Sequence, residues 1–262
     1  MRFSLQVCLL ALAPSLALGA IFPSNSHVQM LDPKSFKKAM KSNQTSLVAF
    51  VAPWCGHCQR MAPEYAKVSD KLYPLIPTYA VDCDEEKNKP LCAEQRVQGF
   101  PTVKLFPRGN KVAPMTYDSG DRTASAFYKW ATLRVPNHVT KLSKAGNIES
   151  WVDKTKEENT LLLLTKEKKV PLLWKVLANK YYGKLGLAAH RDDDGQTAKD
   201  LGFDDSTKVL IYPAGDSKPV KYDGATKIEP LTKLFNSILD GTADLGTANE
   251  AAKTSDRPDD EL

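Results

Sequence analysis

The chain has 262 residues, enough for two ordinary domains, and its 42% hydrophobic and 26% charged content is that of a soluble globular protein. The formal net charge is +5, but both signs are mixed along the chain. No basic stripe with interleaved aromatics occurs, so nucleic acid is not an expected partner.

In chain order, "MRFSLQVCLLALAPSLALG" comes first: Arg2, an apolar run, then small residues, with Ala17 and Gly19 at the −3 and −1 positions of a cleavage after Gly19. This is the pattern of a secretory signal peptide, residues 1–19. The run is short for a span of about 20 residues and is broken by Pro14. No later segment is apolar enough to span, so no membrane is expected. A strand and a helix are expected within residues 27–42. "SLVAFVA", from Ser46, reads as a buried strand. "CGHCQRMAPEYAKVSDKLY" places Met61, Tyr65, Val68 and Leu72 at helical spacing, which predicts a helix starting at or near Cys55 and kinked at Pro63. "PTYAVDCD" is a strand, "PLCAEQRV" a short helix, "PTVKLFPRG" and "KVAPMTYD" strands, and "RTASAFYKWATLRV" a closing helix.

After "RVPNHVTKLSK" the same grammar restarts. "TLLLLT" reads as a strand, "VPLLWKVLANKYYG" as a helix and "KLGLAAH" as a strand. "GQTAKDLGF" is a short helix, "KVLIYP" and "KPVKYDG" are strands, and "IEPLTKLFNSILDG" is a helix. "GFPTVKLFPRGN" parallels "GFDDSTKVLIYPAGD" about one hundred residues on, a weak internal repeat that argues for two copies of one α/β fold, each a sheet covered on both faces. The expected division is residues 20–136, residues 137–241, and a flexible tail over residues 242–262. That tail ends in Asp259, Asp260, Glu261 and Leu262, a sequence shaped like a receptor-read retrieval signal. With the signal peptide it implies the lumen of the endoplasmic reticulum, where disulfides form and persist.

Of five cysteines, Cys8 leaves with the signal peptide, and Cys55, Cys58, Cys83 and Cys92 remain. In "APWCGHCQRM" the spacing suits an inert disulfide, half of a zinc site, or a redox dithiol. A strand feeding a helix at Cys55 favours the dithiol. The free N–H groups and dipole at a helix start stabilise a thiolate on Cys55. Cys58 lies one turn further in, within resolving reach. Gly56 permits the tight turn, and His57 adds positive charge that stabilises the reduced form. Trp54 offers an exposed apolar contact. Zinc, with Cys83 and Cys92 as its second pair, fits poorly because eight residues separate them. That second pair suits a structural disulfide, with a secondary redox pair or two free thiols as alternatives. The context of Pro101 favours a cis bond.

"APWCGHC", Pro63, "VQGFPTVKLF" and "YDSGDRTASAFYKW" closely resemble a protein disulfide isomerase catalytic domain of thioredoxin fold, over residues 27–134. The layout resembles a small fungal-type member of that family: one active domain, one cysteine-free domain and a retrieval tail. The resemblance implies two thioredoxin-like domains, each a mixed β-sheet flanked by helices. It implies Cys55 as nucleophile, Cys58 as resolving cysteine and Pro101 as a cis-proline that faces the dithiol and binds substrate backbone. Arg122 would be the mobile arginine that lowers the pKa of the second cysteine. One position departs. Ala49 stands where family members carry a buried acid that accepts and returns the proton of the buried cysteine.

The activity so implied is formation and rearrangement of disulfides in unfolded or misoxidised secretory proteins, with glutathione or a lumenal thiol oxidase as electron partner and no cofactor or metal. The alternative is a lumenal chaperone or escort that tethers clients with little net isomerisation. The second half has no cysteine and places Asp204 after "GF", where the first half has Pro101. It is expected to bind substrates or partners, or to serve a structural role. His190 is expected as a packed or surface histidine, and Asn43, in Asn-Gln-Thr, as a candidate glycosylation acceptor. A monomer is expected.

Overall fold

The computed structural model describes residues 21–245. The expected signal peptide and the Asp259–Leu262 signal lie outside the described residues. The first half runs β1 (Val28–Met30), α1 (Pro33–Lys41), β2 (Ser46–Val51), α2 (Gly56–Leu72), β3 (Thr78–Asp82), α3 (Lys89–Glu94), β4 (Thr102–Asn110), β5 (Met115–Thr116) and α4 (Ala124–Leu133). The second runs β6 (Thr140–Leu142), α5 (Asn147–Lys154), β7 (Thr160–Thr165), α6 (Leu172–Lys180), β8 (Gly186–Arg191), α7 (Gln196–Asp200), β9 (Val209–Tyr212), β10 (Val220–Lys221) and α8 (Ile228–Leu239).

The two sheets have one topology. Strand order is β1-β3-β2-β4-β5 in the first and β10-β9-β7-β8-β6 in the second, the same order read from the other edge. In each, the first three strands are parallel and the last two antiparallel. These are two thioredoxin-like domains. Both faces of each central strand are covered, so the strand reads as a continuous apolar run. On β2, Leu47, Ala49 and Val51 join the cluster under α2 and α4, while Val48 and Phe50 face Phe36 of α1 and Leu91 of α3. On β7, Leu161 and Leu163 pack with Trp174 of α6 and Phe235 of α8, and Leu162 and Leu164 with Ile148 of α5.

Local chemistry sets the ends. Asp32 caps α1 in a capping box with Ser35, ahead of Pro33. Thr123 caps α4 through the Ala126 amide, and Glu64 of α2 accepts from the Ala124 amide at 2.8 Å, tying α4 to α2. Helix α2 continues through Pro63. Pro107 lies within β4 just past the residues paired with β2, where its missing N–H leaves the ladder complete. The strands expected at "KVAPMTYD" and "KPVKYDG" shrink to two residues each. The stretch "RVPNHVTKLSK", read as a connection, contributes strand β6, and α5 follows it.

The domains meet base to base. Asn179, near the end of α6 and fully buried, donates to Thr45 Oγ1 at 3.0 Å and Pro107 O at 2.7 Å, at the start of β2 and in the last part of β4. Arg108 donates to Tyr182 O at 3.3 Å and lies 4.7 Å over the Tyr182 ring, whose centroid is 3.9 Å from that of His138. Gly109, at φ 52°, allows β4 to pass the end of α1: a Cβ there would stand 2.2 Å from Ser42 O.

Candidate active site

Strand β2 ends at Val51, and the chain turns through Ala52, Pro53 and Trp54 into α2. The Cys55 amide donates to Ala52 O at 3.1 Å, and the Gln59 side chain to Pro53 O at 2.7 Å, which closes the turn. Cys55 is the N-cap of α2. Its sulfur accepts from the Cys58 amide at 3.4 Å, so an otherwise orphaned helix-start donor points at the thiol. Cys55 and Cys58 are free thiols; Cys55 is 8% exposed and Cys58 fully buried. The Cys55 thiol donates to Phe100 O at 3.5 Å, the carbonyl of the cis Phe100–Pro101 bond. Trp54 is 62% exposed, lies edge-on to Phe100 at 6.0 Å, and donates through Nε1 to Asp84 Oδ1 at 2.9 Å. An exposed aromatic, a cis-proline carbonyl and a thiol thus share one rim.

The two sulfurs are electrostatically unlike. Burial pushes the Cys55 thiol up, but the Cys58 thiol, the Cys58 and His57 amides and the Arg60 guanidinium together outweigh it, and its pKa falls below the ordinary value. Burial, with the Cys55 sulfur, pushes Cys58 up to about 12. Arg122, exposed ahead of α4, acts on Cys58 in the opposite sense, as the smallest of its resolved influences. His57 Nδ1 lies 2.9 Å from Arg60 Nη2. Ala49, fully buried, is flanked in the sheet by Ala80 and Val103. The buried Tyr65 hydroxyl donates to Tyr79 O at 2.9 Å.

Cys83 and Cys92 are bonded to each other, with Cα atoms 6.0 Å apart. Neither is therefore available to share a zinc ion with Cys55 and Cys58. The Cys83 amide donates to Val51 O at 2.8 Å, so the clipped β3–α3 loop is fastened beside the end of β2 and carries Asp84 to Trp54. Asn43 sits half-exposed between α1 and β2.

In the second domain, six residues, 166–171, link β7 to α6 without a cysteine. Helix α6 has nine residues where α2 has seventeen. Asp204, before β9, is held by Lys221 at 2.6 Å and lies well below the usual carboxylate range because Lys221 and Ser206 hydrogen-bond to it. His190 is packed, with Nδ1 2.9 Å from Leu142 O and Nε2 3.1 Å from Thr197 Oγ1. Asp192 accepts from the Thr197 and Ala198 amides at 3.0 Å, an electrostatic clasp on α7.

Sequence reasoning missed Arg60, Asp84 and the Phe100 carbonyl. Arg60 was legible, since it stands three residues after His57 on a helix. Asp84 and Phe100 carry no local signal; only the folded loops bring them to the rim.

A family model described as Thioredoxin matches residues 27–132. The chain is 36% identical over 210 residues to a putative protein disulfide-isomerase of Dictyostelium discoideum, covering 78% of this chain and 50% of that one. It is 33% identical over 178 residues to the protein disulfide-isomerase MPD1 of Saccharomyces cerevisiae, covering 62% and 56%. It is 34% identical over 154 residues to a mitochondrial thioredoxin domain-containing protein of Schizosaccharomyces pombe, covering 58% and 42%. The chain spans about half the length of these curated relatives. A crystal structure of ERdj5 matches with a TM-score of 0.45 at 19% identity, covering 84% of this chain and 31% of that one.

Proposed function

The chain belongs to the protein disulfide isomerase family, and on that premise we propose that it forms and rearranges protein disulfides through Cys55 and Cys58. The observation that carries this reading is the split between the two sulfurs. A thiol with a lowered pKa, 8% exposed, caps the helix, and a thiol pushed up to about 12 lies fully buried one turn behind it.

The split favours Cys55 as attacking and leaving sulfur, and requires Cys58 to be protonated as it departs. In oxidation, a client thiolate attacks Cys55 of the oxidised pair. The Cys55–Cys58 bond breaks, and the departing Cys58 sulfur takes up a proton, as its high pKa demands. A second client thiolate then attacks the client sulfur of the mixed disulfide and expels Cys55, which its lowered pKa makes a good leaving group. Two electrons and two protons pass from the client dithiol to the cysteine pair. In isomerisation, the reduced Cys55 thiolate opens a client disulfide and is expelled when a different client thiolate returns to it, with no net electron transfer. The Phe100 carbonyl beside cis Pro101 and the exposed Trp54 ring suit an extended client backbone with apolar side chains. Arg122 in its mobile role would ease ionisation of Cys58 during reoxidation.

We assign residues 20–136 to the catalytic domain, 137–241 to a domain that holds clients or partners, and 242–262 to a tail. Residues 1–19 would direct the chain to the endoplasmic reticulum, and Asp259–Leu262 would return it there by a retrieval receptor. Clients are unfolded or misoxidised secretory proteins. Glutathione or a lumenal thiol oxidase supplies or removes electrons, and the protein acts as a monomer without cofactor.

Recovery of activity from a scrambled disulfide-bonded protein tests the proposal. Wild type should restore it, and Cys55→Ser should abolish turnover. Cys58→Ser should accumulate mixed disulfides. Full protection of clients by Cys55→Ser, with no turnover by wild type, would establish the escort reading instead. That reading draws support from Ala49, which leaves no acid at the usual position to speed release. Imaging of the full chain against lumenal and mitochondrial markers tests the compartment.

A further inference from the structure

We infer that Arg60 is a positioning residue for this reaction: it fixes the tautomer of His57 and supplies the constant positive charge that holds the Cys55 thiolate. The inference rests on the thiol–disulfide exchange reading above.

Arginine has five donors and no acceptor, and it does not titrate in proteins. Arg60 Nη2 lies 2.9 Å from His57 Nδ1, so Nδ1 must be the acceptor. The ring proton then sits on Nε2, and the ring in this pairing is neutral. His57 therefore serves as an oriented N–H donor rather than as the cation. The cation is Arg60; its charge favours ionised Cys55, ranking after the Cys58 thiol and the Cys58 and His57 amides.

A second observation gives the location. Arg60 is the fifth residue of α2, yet its Nη1 lies 3.5 Å from where a Cβ on Gly56 would stand. The guanidinium is folded back over the first residue of the helix. A cation there opposes the helix dipole, and the first turn has no acidic residue to offset it. The ordinary lean of a helical side chain toward the N-terminus brings the guanidinium to the turn that Cys55 caps, where a thiolate is the anion it would offset. The arrangement has a chemical consequence. A thiolate held by protonated histidine would lose its support as pH rises through the histidine range. One held by guanidinium keeps it throughout.

The test uses the full-length protein in a Cys58→Ala background, so that one active-site thiol remains. The rate of iodoacetamide alkylation against pH reports the thiolate. Arg60→Met should move the midpoint to higher pH and slow alkylation at pH 6 by about 1.5- to 5-fold, the scale of an exposed ion pair. Arg60→Lys should recover part of the shift. With Cys58 restored, the equilibrium with glutathione should move toward the disulfide in Arg60→Met. Nitrogen-15 spectra of the His57 ring should show the Nε2–H tautomer in wild type and a mixture in Arg60→Met. In wild type, added salt should raise the midpoint; in Arg60→Met it should not. An unchanged profile, tautomer and salt response in a folded Arg60→Met protein overturns the inference. If Arg60→Met does not fold, a salt-independent wild-type midpoint overturns it alone. Failure of wild type to exchange with glutathione at all overturns the parent proposal instead, while the alkylation profile still reads the role of Arg60.

Discussion

Asn179→Ala probes the join between the domains. Asn179 is fully buried and donates twice across the seam, to Thr45 Oγ1 at 3.0 Å and to Pro107 O at 2.7 Å. Each net hydrogen bond contributes about 1 kcal/mol, and truncating a buried side chain adds a cavity cost of similar size. Two features moderate the loss. Thr45 Oγ1 itself donates to Pro107 O at 2.7 Å, so that carbonyl stays satisfied, and Asn179 Oδ1 has no partner to lose. The expected destabilisation is about 2–3 kcal/mol. For a protein of this size, 1 kcal/mol corresponds to roughly 2–4 °C, so the transition should fall by about 4–12 °C. Scanning calorimetry of the reduced full-length protein reads it directly. Wild type should melt in one transition, and Asn179→Ala should melt lower, with the domains beginning to separate into two. A single transition within 1 °C of wild type would show that Asn179 contributes nothing to the seam and that the base-to-base packing is held by other contacts.

Removing the Cys83–Cys92 bond by a double substitution to Ala should cost about 2.5 kcal/mol, because it frees a short loop in the unfolded chain; urea midpoints measure it, and an unchanged midpoint refutes the estimate. Cys58 is raised from 9.0 to about 12 by burial, so above pH 9 the unfolded chain ionises it while the folded chain does not, and stability of the reduced protein falls as pH rises. The slope from this group is at most about 1.4 kcal/mol per pH unit, and Cys58→Ala should flatten the alkaline loss in urea titrations at pH 8 to 10. Ala49→Glu should speed resolution of a trapped mixed disulfide in stopped-flow experiments, since it places a proton acceptor in the strand beside Cys58; equal rates in the two proteins would sink that idea. Gly109→Ala, with a Cβ 2.2 Å from Ser42 O, should destabilise by at least about 3 kcal/mol in the same urea assay.

Most of the fold was legible because the central strands are apolar on both faces. "SLVAFVA" and "TLLLLT" announced β2 and β7 without alternation, since helices cover both sides of each sheet. Strand β6 was not legible. Thr140 and Lys141 are exposed, and the segment is a strand only because β8 lies beside it. The two-residue strands β5 and β10 were overestimated: each is the edge strand of its sheet and pairs with its neighbour over two residues. At the site, the helix opening at Cys55 was readable from the strand and turn before it, whereas the cysteine spacing by itself suited an inert disulfide or half of a zinc site equally well. The contact of Trp54 with Asp84, thirty residues on, depends on the β3–α3 loop closing back over β2. The seam was invisible, because Asn179 stands in "LLWKVLANKYY" with nothing in the pattern to mark it as a bridge.

The base-to-base seam has a consequence for size. Thr45, Pro107 and Asn179 lie at the ends of their elements remote from Cys55 and from the start of α6. The dithiol and the corresponding pole of the second domain therefore each lie about one strand length, roughly 20 Å, from the seam. An extended polypeptide on the order of 12–15 residues is long enough to touch both poles at once. A peptide much shorter than this that sits at the dithiol falls short of the second pole, whereas a longer chain has the length to reach both. The seam thus sets the reach that any polypeptide touching both poles must have.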